Sequence, residues 1–208
     1  MEQWIFSLRL ENSFTSSGCV NVQDFDPMII VNLAYRDSSN VFESDFYNGF
    51  NKAYLIQEGA EKIAAANSIL MSIDSSLRIV VFDAARPRSI QRIMWDSVSG
   101  TQMEKYVAYP EGGGSLHNYG CAVDVGLIYS NGELLDMGFG FDHLGWESEP
   151  RNHKELVELG ILTQEQVNNR NLLRQIMIQA GFQAINSEWW HFNVYPKEFV
   201  RANYSIIE

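Results

Sequence analysis

The stretch Ser115-Leu116-His117-Asn118-Tyr119-Gly120-Cys121-Ala122-Val123-Asp124-Val125-Gly126-Leu127-Ile128-Tyr129 changes character at Cys121. Upstream, Glu111-Gly112-Gly113-Gly114 is a flexible loop leading into Ser115. From Cys121 to Tyr129 the residues are mostly apolar, and Asn131-Gly132 beyond them is a turn signal, so this part reads as a strand. Period-two alternation sends Cys121, Val123 and Val125 to one face and Ala122, Asp124 and Gly126 to the other. The second face sets a carboxylate between two very small side chains. A buried carboxylate without a partner is costly, so Asp124 needs something cationic beside it. On this segment alone, a metal ion and a structural salt bridge are equal candidates.

Working outward, Met28–Leu33 and Leu77–Phe82 are apolar runs of strand length, and Asp37–Asn40 is a polar loop. Gln57–Ser72 is Ala-rich with Ile63, Ala66, Ile69, Leu70 and Ile73 at helical spacing. Pro87 stands where a helix can open, with Ile90, Ile93, Met94 and Trp95 as its expected buried stripe. Thr163-x-x-Gln166 has the form of a capping box for a helix reaching about Ala180, where Gly181 stops it. Phe182–Ile185 and Trp189–Tyr195 are the last strand candidates. Helices and strands mix without regular βαβ alternation, which predicts an α+β fold. The expectation is a single compact domain over residues 1–208, with a central, mostly antiparallel sheet flanked by helices and about the first 20 residues peripheral.

The chain has 208 residues, of which 15 are basic and 26 acidic, for a net charge of −11. Such a charge repels phosphate backbones and anionic lipid, and the densest basic stretch, Arg86, Arg88 and Arg92, is flanked by acids. No apolar run approaches the ~20 residues that span a bilayer. Neither nucleic acid nor membrane is therefore an expected partner, and the oligomeric state is left open. Met1-Glu2 carries an acid where a signal peptide needs base, and Arg9 breaks the apolar stretch Trp4–Leu10. Gly18-Cys19 resembles a lipoprotein cleavage site but lacks the apolar segment before it. A cytoplasmic location is expected, or a periplasmic one if a leader had been removed. Two cysteines, Cys19 and Cys121, are too few for a disulfide scaffold and read as buried thiols, with a single bridge as the alternative.

The four histidines are His117, His143, His153 and His191. In Glu188-Trp189-Trp190-His191 an apolar wall stands against an acid, which raises its pKa toward the range of a general base. The plain alternative is an edge strand with an exposed glutamate and a core histidine. Taken with the first stretch, His117, Asp124 and His191 supply two imidazoles and a carboxylate. That is the composition of a catalytic zinc site with a fourth position open to water, and Glu188 is then the spare carboxylate such a water needs. In Asp83-Ala84-Ala85-Arg86-Pro87, after a strand end, Arg86 either faces a developing oxyanion or forms a structural pair with Asp83. His143 and His153 are expected to be surface or loop residues, although His143, beside Asp142, could line a pocket.

The elements S-x-H-x-x-G-x-A-x-D, E-W-W-H and D-x-x-R-P together resemble the VanX-type D-alanyl-D-alanine dipeptidases, zinc metallopeptidases of the wider D,D-carboxypeptidase-like group. The similarity runs from about Tyr35 to Tyr195 and includes Phe141-Asp142 and Asn169–Met177 before Gly181-Phe182. It implies one zinc per chain, placed at the sheet and held by His117, Asp124 and His191. It also implies Glu188 as catalytic base, Arg86 as stabiliser of the tetrahedral intermediate, and Asp83 as the partner orienting Arg86. Asp142 would hold the free ammonium of a small dipeptide substrate, and Ser115 and Tyr35 would line the pocket. Two departures border that pocket: Ala84-Ala85 replaces a glycine–aromatic pair, and His143-Leu144-Gly145-Trp146 follows Asp142 in place of an acidic segment. The implied activity is hydrolysis of D-Ala-D-Ala. The alternatives are a peptidoglycan carboxypeptidase or endopeptidase with the same zinc site, and a non-catalytic zinc-binding module.

Overall fold

The computed structural model describes residues 2–208, Glu2 by its backbone alone; Met1, part of the N-terminal reading above, lies outside them. The chain forms α1 (Glu2–Ser16), β1 (Cys19–Asn21), β2 (Ile30–Val31), β3 (Tyr54–Ile56), α2 (Gln57–Ile73), β4 (Leu77–Asp83) and α3 (Arg88–Val98). There follow β5 (Ala122–Tyr129), α4 (His153–Glu158), α5 (Gln164–Gln179), β6 (Gln183–Ala184), β7 (His191–Asn193) and α6 (Lys197–Asn203).

The central sheet has the order β2-β4-β5-β7-β6, and only β2 and β4 run parallel. This is the mostly antiparallel α+β domain expected from the sequence. β4 and β5 are its longest strands and are buried along nearly their whole length. One face buries Ile79, Val81, Val123, Val125 and Leu127 with Ile63, Ala66 and Leu70 of α2 and Leu173, Ile176 and Met177 of α5. The period-two reading of Cys121–Tyr129 thus separates a helix-covered face from the face that carries Asp124. A smaller antiparallel pair, β1 with β3, carries the chain from α1, whose Leu10 and Phe14 are buried in the same core.

Gly126 explains the small residues around Asp124. A Cβ there would meet the Phe82 ring at 2.7 Å, so the space is filled by an aromatic side chain that stacks on Phe141 with centroids 5.0 Å apart. Phe141 in turn meets Trp190 edge-on at 5.5 Å. The missing side chain lets these rings close over the sheet. Gly126→Val should push Phe82 off Phe141 and destabilise the protein by ~1–3 kcal/mol, as overpacking of cores does. A chemical-denaturation midpoint equal to the wild type would contradict this packing.

Several sequence expectations need adjustment. Of Met28–Leu33 only Ile30–Val31 forms a strand, pairing with Val80 and Val81. On α3 the buried stripe is Ile90, Gln91, Met94 and Val98, while Ile93 is exposed and Trp95 half-buried. The helix is rotated because the Gln91 amide is needed inside, between Arg86 and the Ala108 carbonyl. Ile73, the last residue of α2, is exposed. Thr163 and Gln166 do form a capping box, and Gly181, with φ of 94°, follows the end of α5. Cys19 and Cys121 are both free and buried, and burial pushes each thiol up to about 12. Among the described residues, no helix is long and apolar enough to cross a membrane.

Candidate functional site

Three chain segments meet at the polar end of β4 and β5. Asp124 stands opposite His191 of β7 and opposite Asp83 of β4, where the register of the β4–β5 pair shifts. The third segment is the short turn Leu116–Tyr119. Ser115 caps it by accepting from the His117 amide (3.3 Å), and Ser115 N–H donates to Asn118 Oδ1 (2.8 Å). Buried Asn118 then donates through Nδ2 to the Arg86 carbonyl (2.8 Å), while the Arg86 amide donates to the His117 carbonyl (2.9 Å). These two bonds lock the His117 turn to the Arg86 turn. Gly114, with φ of 50°, approaches so closely that a Cβ would collide with Asn118 Oδ1.

Each histidine has one ring nitrogen assigned by its partner. His117 Nδ1–H donates to the Ala84 carbonyl (2.7 Å), which leaves Nε2 a lone pair. His191 Nε2 faces Asn193 Oδ1 (2.8 Å), so in the neutral ring Nε2–H donates there and Nδ1 carries the lone pair. Those two lone-pair atoms are 3.2 Å apart. His117 Nε2 lies 3.4 Å from Asp124 Oδ2, and His191 Nδ1 lies 3.0 Å from Asp124 Oδ1. Acceptor atoms so close together need a proton or a metal ion among them, and a proton on His191 Nδ1, donated to Asp124, meets that need when no metal is bound. Ligands of a tetrahedral zinc at ~2.0–2.1 Å sit ~3.3 Å from one another, so the group could hold such a metal with little movement. Orientation of ligand imidazoles by a carbonyl or amide oxygen is the usual outer support of metal sites.

Electrostatics follow from the same contacts. Burial alone would raise the Asp124 carboxyl, but the two imidazoles more than offset it and hold the group well below the usual carboxylate range. Burial alone would lower His191, yet its bond to Asp124 lifts it to about 9. Glu188, half-buried beside Trp189 and Trp190 with its carboxylate 4.0 Å from His191 Nδ1, is pushed up mainly by burial, against the pull of His191.

Arg86 is buried and held by two partners through three of its nitrogens. Its Nε donates to Asp83 Oδ2 (2.8 Å), its Nη2 donates to the same oxygen, and its Nη1 donates to Gln91 Oε1 (2.8 Å). Tyr47 Oη donates to the other Asp83 oxygen (2.9 Å). A guanidinium has five N–H groups, so hydrogens remain to face the cleft. Asp142, at φ of 60°, accepts from Tyr35 Oη (2.7 Å), and burial is the main cause of its rise to about 8.

Arg86, His117, Asp124, Asp142, Glu188 and His191, with Ser115 and Tyr35, line one cleft of about 140 Å³. Asp83 does not line it and sits behind Arg86. Tyr106, Leu144, Glu188 and Trp190 border both the cleft and a wider hollow of about 340 Å³, and His143 lines that hollow rather than the cleft, pairing with Glu147 at 3.2 Å. His153 is half-buried near Arg170 and is lowered to about 4 by burial and that cation. Neither belongs to the group that could hold a metal.

Tyr47, Gln91, Asn118 and Asn193 support the site and were not singled out from the sequence. Asn193 was within reach, because period two puts it on the same face of β7 as His191. Tyr47 and Gln91 carry no local signal, since their partners are remote in the chain or inside a helix face.

A family model described as D-ala-D-ala dipeptidase matches residues 15–206. The chain is also similar to three curated proteins named D-alanyl-D-alanine dipeptidase. One from Escherichia coli is 33% identical, covering 81% of this chain and 80% of that protein. One from Synechocystis is 29% identical, covering 67% and 69%. One from Enterococcus faecalis is 24% identical, covering 73% and 79%.

Proposed function

Because the chain belongs to the D-ala-D-ala dipeptidase family of peptidases, we propose that it hydrolyses free D-Ala-D-Ala with a single zinc held by His117, Asp124 and His191. The convergence of two imidazoles and a carboxylate within one cleft, beside a half-buried carboxylate and a fixed guanidinium, is the observation that carries this reading. Zinc bound by such ligands lowers the pKa of a coordinated water to ~7 and polarises a carbonyl.

The chain's own residues account for the rest of the reaction. Glu188, made more basic by its apolar wall, takes a proton from the attacking water and passes it to the leaving amine. Arg86 turns its remaining N–H groups toward the oxyanion of the tetrahedral intermediate. Asp83 and Gln91 fix that guanidinium in advance, so no reorganisation is needed when charge develops. Asp142 takes the substrate's free ammonium. A carboxyl raised to about 8 by burial lacks positive charge, and an ammonium would provide it. Tyr35 and Ser115 shape the pocket around the dipeptide.

The test is substrate length. An N-acetylated dipeptide has no ammonium and leaves the desolvated Asp142 with the Tyr35 hydroxyl alone, a penalty of about 1–3 kcal/mol or ~10–100-fold. Free D-Ala-D-Ala should therefore be cleaved at least that much faster than N-acetyl-D-Ala-D-Ala, measured as kcat/KM, and Asp142→Asn should narrow the gap by weakening the free dipeptide. Equal values for the two substrates would favour a carboxypeptidase in place of a dipeptidase.

A further inference from the structure

On α5, Gln166, Asn169 and Arg170 stand three and four residues apart and so share one face. All three grip the segment that leads to Asp142. Gln166 Nε2 donates to Asp136 Oδ2 (2.9 Å), Asn169 Nδ2 to the Asp136 carbonyl (2.8 Å) and Arg170 Nε to the Met137 carbonyl (2.7 Å). Arg170 alone also reaches the other end, where Nη1 donates to the Glu147 carbonyl (2.7 Å). One planar group thus spans the base of the loop 137–147. Asp142 lies at the middle of that loop in a left-handed conformation, which a non-glycine residue keeps only when its surroundings over-determine it. The same guanidinium lies over the Trp189 ring, 5.6 Å from its centroid, next in sequence to Glu188.

The setting of Arg170 is unusual for a residue that only fills space. It is 1% exposed, makes no ion pair among the described residues, and its Nη2 and the neighbouring Trp189 Nε1 have no hydrogen-bond partner there. Burial lowers it to about 10, offset only in part by Asp136. A well-packed neutral side chain is often as good or better in such a place. What a neutral chain cannot supply is a rigid fork that binds two carbonyls at once.

We propose that Arg170 is the positioning residue that sets selectivity for the substrate's amino terminus, by pinning both ends of the loop that presents Asp142 to the cleft. The inference rests on the reading of Asp142 given above. Displacement of a positioned group by about 1 Å is enough to cost ~10²-fold.

Arg170→Lys and Arg170→Met are compared with Asn169→Ala and Asp142→Asn, each checked for folding by circular dichroism and for zinc content. The two Arg170 variants should lose ~10–100-fold in kcat/KM on free D-Ala-D-Ala, mostly through KM. Zinc should stay bound, and the low rate on the N-acetyl dipeptide should change little. Asn169→Ala leaves the bridge between the loop ends intact and should behave like the wild type. Arg170 variants that keep wild-type selectivity, that lose both substrates equally, or that fail to fold would overturn the proposal. Asp142→Asn with unchanged selectivity would instead overturn the reading of Asp142, whatever the Arg170 variants do.

Discussion

Glu188→Gln keeps its metal and loses turnover: kcat should fall by at least ~10²–10⁴-fold, the contribution of general acid–base transfer alone. The amide is nearly the same size and fits the same half-buried slot beside the two tryptophans, so packing is spared. It has no charge to accept the water's proton and none to return to the leaving amine. Glu188 is also outside the group of atoms that could hold a metal, its carboxylate lying 4.0 Å from His191 Nδ1. Zinc content by elemental analysis should therefore match the wild type while kcat collapses and KM changes little. A kcat within a few-fold of wild type would remove Glu188 from the reaction.

His117→Ala should lose metal and activity together. The substitution deletes Nε2 from a cluster of three residues whose nearest atoms lie 3.0–3.4 Å apart, leaving one imidazole and one carboxylate. Loss of a mere supporting contact costs 10–100-fold in metal affinity; loss of a ligand should cost more, so dialysis against a mild chelator should strip the variant and not the wild type. Zinc stoichiometry and hydrolysis, followed through the same dialysis, should fall in parallel. A variant with full zinc and full turnover would refute the ligand assignment.

The sheet was legible where hydrophobic burial leaves a local imprint. β4 (Leu77–Asp83) and β5 (Ala122–Tyr129) are buried along nearly all their length, and the apolar runs Leu77–Phe82 and Cys121–Tyr129 record it. Short edge pieces such as β2 and β6 carry almost no such imprint, since two residues give no period to read. The candidate site was legible to the extent that the proposed chemistry demands rare residue types: two of four histidines, one carboxylate in a small-residue strand, one arginine beside proline. Asn118, Gln91 and Tyr47 escaped because their task is to tie remote segments together. Asn118 bridges 32 residues and Tyr47 bridges 36, and neither partner is visible from the local pattern. Gln91 shows the same conflict inside an element, where a polar tie displaced Ile93 from the buried side of α3.

The two histidines are braced by different kinds of group, and this divides their exposure to mutation. The oxygen that orients His117 belongs to the Ala84 peptide, which every amino acid at that position would carry. A change of side chain at position 84, which is buried in the core, leaves that brace in place provided the backbone path is kept. The oxygen that orients His191 belongs to the Asn193 side chain, and a single substitution removes it. Between two imidazoles of equal importance, one is thus insured by the main chain and the other stands on one inherited letter. Replacing Ala84 by another small residue should leave metal affinity unchanged, whereas Asn193→Ala should lower it.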